Sequence, residues 1–131
     1  MKHILLVTPD PEAAETLSLR LELDGHTITH ALSLDEARAQ LGATPHEICI
    51  IDDSDHDKDT LHDLKKFARH AQRITPHLVL LTRAMPDKKQ LVSLNEYLVV
   101  TKPYDLTTLA TLIGEIDSAQ ARNNKPRSRK S

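Results

Sequence analysis

The sequence predicts an α/β fold in which five short parallel strands alternate with five helices in one doubly wound sheet. Short segments rich in Ile, Val and Leu alternate with longer segments that have helical apolar spacing, and this order is typical of repeated βα units. Three of the short segments are continuous apolar runs, as expected for strands that are covered on both faces. Because crossovers between parallel strands are right-handed, few topologies remain.

The predicted strands are His3–Val7, Thr27–Ala31, Glu47–Ile51, His77–Leu81 and Tyr97–Val100. Ligands of open parallel sheets bind beyond the carboxyl ends of the strands. The residues that directly follow these segments are therefore the candidates for function.

The segments between the strands have helical spacing and helical end signals. Ser33 and Glu36 form a capping box, Gly42 is a predicted C-terminal stop, and Asp105 is a predicted N-cap. The predicted helices cover residues 11–24, 33–41, 60–72, 87–95 and 106–116, and the fourth is short and weakly patterned.

Length and composition exclude several classes of protein. The chain has 131 residues, 39% apolar and 27% charged, which indicates one ordinary globular domain. A single cysteine, Cys49, excludes an internal disulfide framework and a multi-cysteine zinc module. The longest apolar run, Ile4–Val7, is far too short for a membrane span or a signal peptide. We therefore expect a cytoplasmic protein without a membrane partner.

The basic residues are concentrated at the C-terminus. Residues 122–131 contain five bases and no acid, which leaves twelve bases and nineteen acids in residues 1–121, a net charge of −7. The pattern predicts a domain over 1–121 and a basic, disordered tail or linker over 122–131. Five charges support only weak, salt-sensitive binding to nucleic acid, so a nucleic-acid adaptor that acts through this tail is a rival hypothesis.

The first strand is followed by Thr8-Pro9-Asp10 without a glycine, which excludes dinucleotide and phosphate-binding loops. No G-x-S-x-G elbow is present. Cys49 lies inside the third predicted strand, where a buried, inert thiol is expected.

An acidic stretch follows the third strand. Asp53, Asp55 and Asp57 imitate the start of a calcium loop, but Lys58 occupies the position of the required glycine and Leu64 that of the closing glutamate. The stretch is therefore predicted to be a solvated loop. A small hydrolase or metal enzyme that uses residues 52–63, and that chelators would inactivate, is a rival hypothesis from another class.

Asp52, Thr82 and Lys102 follow or end strands three, four and five. Because these strand ends are neighbours in a parallel sheet, the three groups can converge. A carboxylate that attacks phosphorus, with a hydroxyl and an ammonium that contact the phosphoryl oxygens, is a phosphoryl-acceptor set.

On these residues the sequence resembles the receiver domain of bacterial two-component response regulators, over residues 1–121. The matching motifs are Ile48-Cys49-Ile50-Ile51-Asp52, Leu78-Val79-Leu80-Leu81-Thr82 and Lys102-Pro103-Tyr104. The resemblance implies the flavodoxin-like receiver fold, Asp52 as phosphoacceptor, Thr82 as switch residue and Lys102 as phosphate contact, with a cis bond before Pro103. It also implies phosphorelay signalling with a histidine kinase or a downstream effector as partner.

The sequence departs from the family after the first strand. Receivers have two acidic residues there that hold Mg²⁺, whereas this chain has Thr8 and Pro9. Asp10 is the nearest acid, and Pro11 at the first helical position favours Asp10 as an N-cap. No cofactor is expected to be bound constitutively, and any Mg²⁺, held by Asp10, Asp52 and Ser54, is expected to bind weakly.

Two further departures lie at strands four and five. Arg83 stands where receivers have a small residue. It is either an exposed loop residue or a guanidinium that reaches Asp52 in place of the cation. The aromatic switch position is also uncertain, since Tyr97 is five residues before Lys102 and Val99 lies closer to the expected place.

The interpretation is a non-enzymatic, receiver-like signalling domain with a degenerate acidic pocket, in which phosphorylation of Asp52 is weak or absent. Its output would come from partner binding, expression level or oligomerisation, such as a homodimer. The resemblance implies that partners contact residues 87–95, 97–100 and 104–116. The alternative is a conventional receiver in which Asp10 or Asp53 holds the ion.

Overall fold

The computed structural model describes residues 2–53, 58–71, 73–75, 77–82, 87–89, 97–101 and 105–123. Strands and helices alternate through most of this chain. The elements are β1 (His3–Val7), α1 (Pro11–Leu23), β2 (Thr27–Ala31), α2 (Leu34–Ala43), β3 (Ile48–Asp53), α3 (Lys58–Ala71), β4 (His77–Thr82), β5 (Tyr97–Thr101) and α4 (Leu106–Asn123).

The five strands form one parallel sheet in the order β2-β1-β3-β4-β5. This five-stranded parallel sheet confirms the predicted doubly wound, flavodoxin-like (βα)5 fold class. β1, β3 and β4 are covered on both faces, which explains why their sequences are continuous apolar runs.

The sheet carries a hydrophobic core on each face because side chains alternate along every strand. One core joins Leu5, Cys49 and Leu80 to apolar residues of α2 and α3. The other joins Ile4 and Ile50 to apolar residues of α1 and α4. The helices α1 and α4 thus lie on the opposite face from α2 and α3.

Several element ends differ from the sequence prediction. Gly42, the predicted stop of α2, lies inside that helix, which runs to Ala43 and is capped by Thr44. The predicted Ser33 cap is confirmed, since its Oγ accepts a hydrogen bond of 3.2 Å from the Glu36 N–H. The turn after α1 is made at Gly25, whose φ of 97° favours glycine.

Helix α4 reaches Asn123, two residues beyond the predicted domain boundary at 121. The remaining residues of the predicted tail, 124–131, lie outside the described residues. Of the predicted helix at 87–95, only 87–89 are described, and Lys88 and Lys89 are helical. Within the described residues, no helix combines the length and apolar character that crossing a membrane requires.

Candidate functional site

Thr8 and Asp52 meet at the carboxyl edge of the sheet. β1 and β3 pair in parallel with Val7 opposite Ile51, so the residues that follow these two lie side by side. Thr8 is fully buried and its Oγ1 donates a hydrogen bond of 3.0 Å to Oδ2 of the half-buried Asp52. A neutral hydroxyl therefore contacts the predicted phosphoacceptor at the point where receivers carry an acid.

Every hydrogen-bonding group of Thr8 has a partner. Its N–H donates to the carbonyl of Ala31 at 3.0 Å, and its own carbonyl accepts from Nε2 of His30 at 2.9 Å. Its Oγ1 also accepts from the N–H of Asp10 at 3.2 Å. Thr8 thus joins β1, β2, β3 and the start of α1. This structural role was missed at the level of sequence, because Thr8 was considered only as a position where an acidic residue is absent.

Asp10 is the N-cap of α1, as predicted. Its Oδ1 accepts a hydrogen bond of 3.0 Å from the N–H of Glu12, and Pro11 occupies the first helical position. A carboxylate at this end of the helix also interacts favourably with the helix dipole. The N-cap hydrogen bond and the helix dipole therefore account for an aspartate at position 10.

The described residues near Asp52 do not match the ligand set that Mg²⁺ prefers. Mg²⁺ in proteins usually takes one or two carboxylates in octahedral oxygen coordination. Thr8 supplies a neutral hydroxyl that is already hydrogen-bonded, and Asp10 caps α1. Across the ranges that the structure describes, no three His, Cys, Asp or Glu residues are grouped so that they could hold a metal ion.

Thr82 lies at the carboxyl end of β4 and is fully buried. It is one residue beyond Leu81, which is opposite Asp52, and it pairs with Asp53 on one side and Thr101 on the other. Asp52 and Thr82 are therefore brought to the same sheet edge on adjacent strands, as the sequence predicted.

Four predicted site residues, Ser54, Arg83, Lys102 and Pro103, lie outside the described residues. Phosphate contact by Lys102, the cis bond before Pro103 and both interpretations of Arg83 therefore stay predictions.

Tyr97 lies at the opposite end of β5 from the site. Its buried hydroxyl donates a hydrogen bond of 2.7 Å to the carbonyl of Leu64 in α3. Val99 is partly buried and packs against the same core. Tyr97 thus fastens the edge strand to α3 and is not positioned at the carboxyl edge beside Asp52.

Comparison with known proteins was negative at the level of sequence, since no family model and no curated protein matches this chain. Solved structures, in contrast, match its fold over most or all of its length. A CheY-like response regulator receiver domain protein from Methanospirillum hungatei has a TM-score of 0.74 at 20% identity, covering 93% of this chain and 98% of its own.

Two further structures agree. The signal receiver domain of a signal transduction histidine kinase from Syntrophus aciditrophicus has a TM-score of 0.73 at 23% identity, covering 100% of this chain and 98% of its own. The chemotaxis protein CheY4 of Vibrio cholerae has a TM-score of 0.73 at 18% identity, covering 88% and 98%. The chain therefore has the fold of CheY-like response regulator receiver domains, as the resemblance implied.

Proposed function

We propose that this chain is a receiver-like signalling domain of a two-component phosphorelay in which Mg²⁺-dependent phosphorylation of Asp52 is weak or absent. Its output would then come from contacts with a histidine kinase or a downstream effector in the cytoplasm. It would not act as an enzyme. The observation that carries the proposal is the hydrogen bond from Thr8 to Asp52, at the edge of a receiver fold.

The chemical reason is charge. Transfer of a phosphoryl group to a carboxylate brings two anionic groups together, and a bound cation or other fixed positive groups must stabilise the charge that develops. In the described part of the site, Thr8 contributes a neutral hydroxyl and Pro9 contributes no side-chain ligand. An acidic pair that could retain the cation is missing there, so transfer would be slow.

The receiver fold also supports the coarser part of the proposal. Asp52 and Thr82 end adjacent strands at the edge where ligands of open α/β sheets bind. This arrangement, together with the receiver fold, favours a signalling domain over a hydrolase based on residues 52–63.

The test is Mg²⁺-dependent adduct formation with beryllofluoride, followed by NMR, and labelling by acetyl phosphate, followed by mass spectrometry. We expect little adduct on the natural chain. The variant Thr8→Asp/Pro9→Asp should bind Mg²⁺ at least about tenfold more tightly, which corresponds to about 1.4 kcal/mol. Asp52→Asn in the same background is the matched control and should abolish the adduct.

The opposite result would support the alternative, a conventional receiver. Tight, Asp52-dependent adduct formation on the natural chain would show that Asp10 or Asp53 holds the ion. In that case Asp10→Asn, which keeps the N-cap, and Asp53→Asn would identify the ligand, since one of them should lower Mg²⁺ affinity.

A further inference from the structure

Helix α1 exposes an acidic surface that also carries two leucines. We call Glu12, Glu15, Leu19, Glu22 and Leu23 the α1 stripe, since they lie three or four residues apart along one side of the helix. All five are exposed, and Leu19 and Leu23 keep 57% and 83% of their surface. The stripe is acidic because the helix has a single base, Arg20, whose Nε lies 3.6 Å from Oδ2 of Asp24.

Helix α3 exposes the opposite charge. We call Lys65, Lys66, Arg69 and Arg73 the α3 stripe, which covers the outer side of the helix and the turn after it. All four are exposed, and Asp63 is the one exposed acid among residues 62–74, whose side chains are described apart from that of Gln72. Residues 62–74, four bases and Asp63, therefore carry a net charge of +3, against three acids on the α1 stripe.

An apolar groove continues the α3 stripe. We call it the Ile74 groove; it has a volume of about 400 Å³ and lies between the end of α2 and the turn after α3. It is lined by Leu41, Gly42, Ala43, Thr44, Pro45 and Ile74. Ile74 is 45% exposed and directly follows the base Arg73. A charged residue followed by an exposed apolar residue also ends α1, where the acid Glu22 precedes Leu23.

We infer that the α1 stripe of one copy of this chain binds the α3 stripe and the Ile74 groove of a second copy. Three acids would face a surface with net charge +3, and Leu19 and Leu23 would leave water by entering a groove that is mainly apolar. Burial of leucine supplies most of the affinity, while complementary charge selects the partner and its orientation.

The positions of the two surfaces determine the form of the assembly. α1 packs on one face of the sheet and α3 packs on the other. One pair of copies therefore cannot use both contacts twice in a closed twofold dimer. The contact is therefore heterologous, and copies join head to tail, either into a ring larger than a dimer or into an open filament.

The first measurement is sedimentation of the full chain over a wide range of protein concentration. The mean mass should rise steadily beyond that of a dimer, and should fall when ionic strength increases from about 0.05 M to about 0.5 M, because salt screens exposed charges. A chain that stays monomeric, or a mass that stops at two copies, overturns the proposal. A monomer is also the result expected if the groove binds a different protein instead of a second copy.

The second measurement uses charge reversal. Glu15→Lys/Glu22→Lys should weaken self-association about tenfold or more, and so should Arg69→Glu/Arg73→Glu, since either change places like charges across the contact. Mixing the two variants should restore association, because the basic stripes of one then meet the acidic stripes of the other. Failure of the mixture to associate, while both variants remain folded by circular dichroism, overturns the proposal.

A matched pair of apolar variants locates the contact. Leu23→Ser removes an exposed leucine of the α1 stripe and should weaken association, with little effect on stability. Leu98→Ser removes a leucine that is 44% exposed on the edge strand β5 and should leave association unchanged. The reverse pattern would place the contact at the β5 edge and overturn the proposal.

Discussion

The hydroxyl of Thr8 donates a 3.0 Å hydrogen bond to the carboxylate of Asp52 and so joins β1 to β3 at the carboxyl edge of the sheet. The same oxygen accepts from the N–H of Asp10 at the start of α1. The carboxylate of Asp52, the predicted phosphoacceptor, is therefore bound by a neutral hydroxyl of the fold itself. We expect this hydrogen bond to contribute to the stability of the domain.

Thr8→Val tests this coupling. Valine has nearly the same shape but leaves Oδ2 of Asp52 and the N–H of Asp10 without this partner. We expect a loss of about 1–3 kcal/mol in the free energy of unfolding, because two partly buried polar groups each lose a hydrogen bond. Urea denaturation measures it, and Thr8→Ser, which keeps the hydroxyl, should lose clearly less. Equal stability of the natural chain and Thr8→Val would show that the contact contributes nothing.

Asp10 tests the N-cap assignment. Asp10→Ala should destabilise the protein by about 1 kcal/mol, because the N–H of Glu12 loses its acceptor. Asp10→Asn retains a side-chain oxygen at this position and should stay close to the natural chain in thermal unfolding. If Asp10→Asn destabilised as strongly as Asp10→Ala, the charge would matter more than the hydrogen bond.

Burial of His46 should make the protein less stable in mild acid. It is buried, its Nδ1 donates to the carbonyl of Thr44 at 2.8 Å, and its Nε2 finds no partner among the described residues. Burial, together with the nearby His3, lowers the pKa of His46 despite the Thr44 carbonyl and Glu47. The unfolded chain therefore takes up the proton first, and stability falls as pH drops below about 6.5.

The measurement is urea unfolding between about pH 7.5 and about pH 5.5. His46→Asn keeps a donor near the Thr44 carbonyl but cannot take up the proton, so stability should depend less on pH than in the natural chain. The exposed His70→Asn is the matched control for loss of an imidazole. An unchanged slope in His46→Asn would contradict the assignment.

Cys49 should be inert in the native protein. Complete burial raises the pKa of its thiol well above the usual range, and the thiolate is the reactive form. A thiol reagent such as DTNB should label native protein only as fast as the sheet opens, and labelling should become rapid in denaturant. Rapid labelling without denaturant would mean that the core around β3 opens easily.

Tyr97→Phe should cost about 1 kcal/mol, because the change removes the hydrogen bond to the Leu64 carbonyl while it preserves the packing of the ring. Chemical denaturation gives the value, and Tyr97→Leu should lose more because the ring is lost as well. No change in Tyr97→Phe would indicate that the bond to α3 does not hold the edge strand.

The sheet was predictable because its signals are local. The strands are short apolar runs whose burial on both faces requires helices between them, and Pro11 after Asp10 marks the start of α1. Helix ends were less predictable. Gly42 is an acceptable residue within a helix as well as after it, and packing of Leu41 on the core continues α2 to Ala43.

The candidate site was predictable only in part. The order of the strands brings Asp52 and Thr82 to one edge, as the spacing of their motifs indicated. The bonds of Thr8 to Asp52, Ala31 and His30 depend on how β1 aligns with β2 and β3, and that alignment is reached only when segments distant along the chain pack together.

The sequence by itself determined the order of strands and helices and, to within about two residues, where each strand ends, because apolar periodicity and turn chemistry act over a few residues. The tertiary structure decided what those strand ends do to one another. The parallel register of β1 and β3 places Thr8 beside Asp52, where its hydroxyl donates a hydrogen bond to the carboxylate. Only the packing of α1 and α3 on opposite faces places an acidic surface and a basic surface on opposite sides of the sheet.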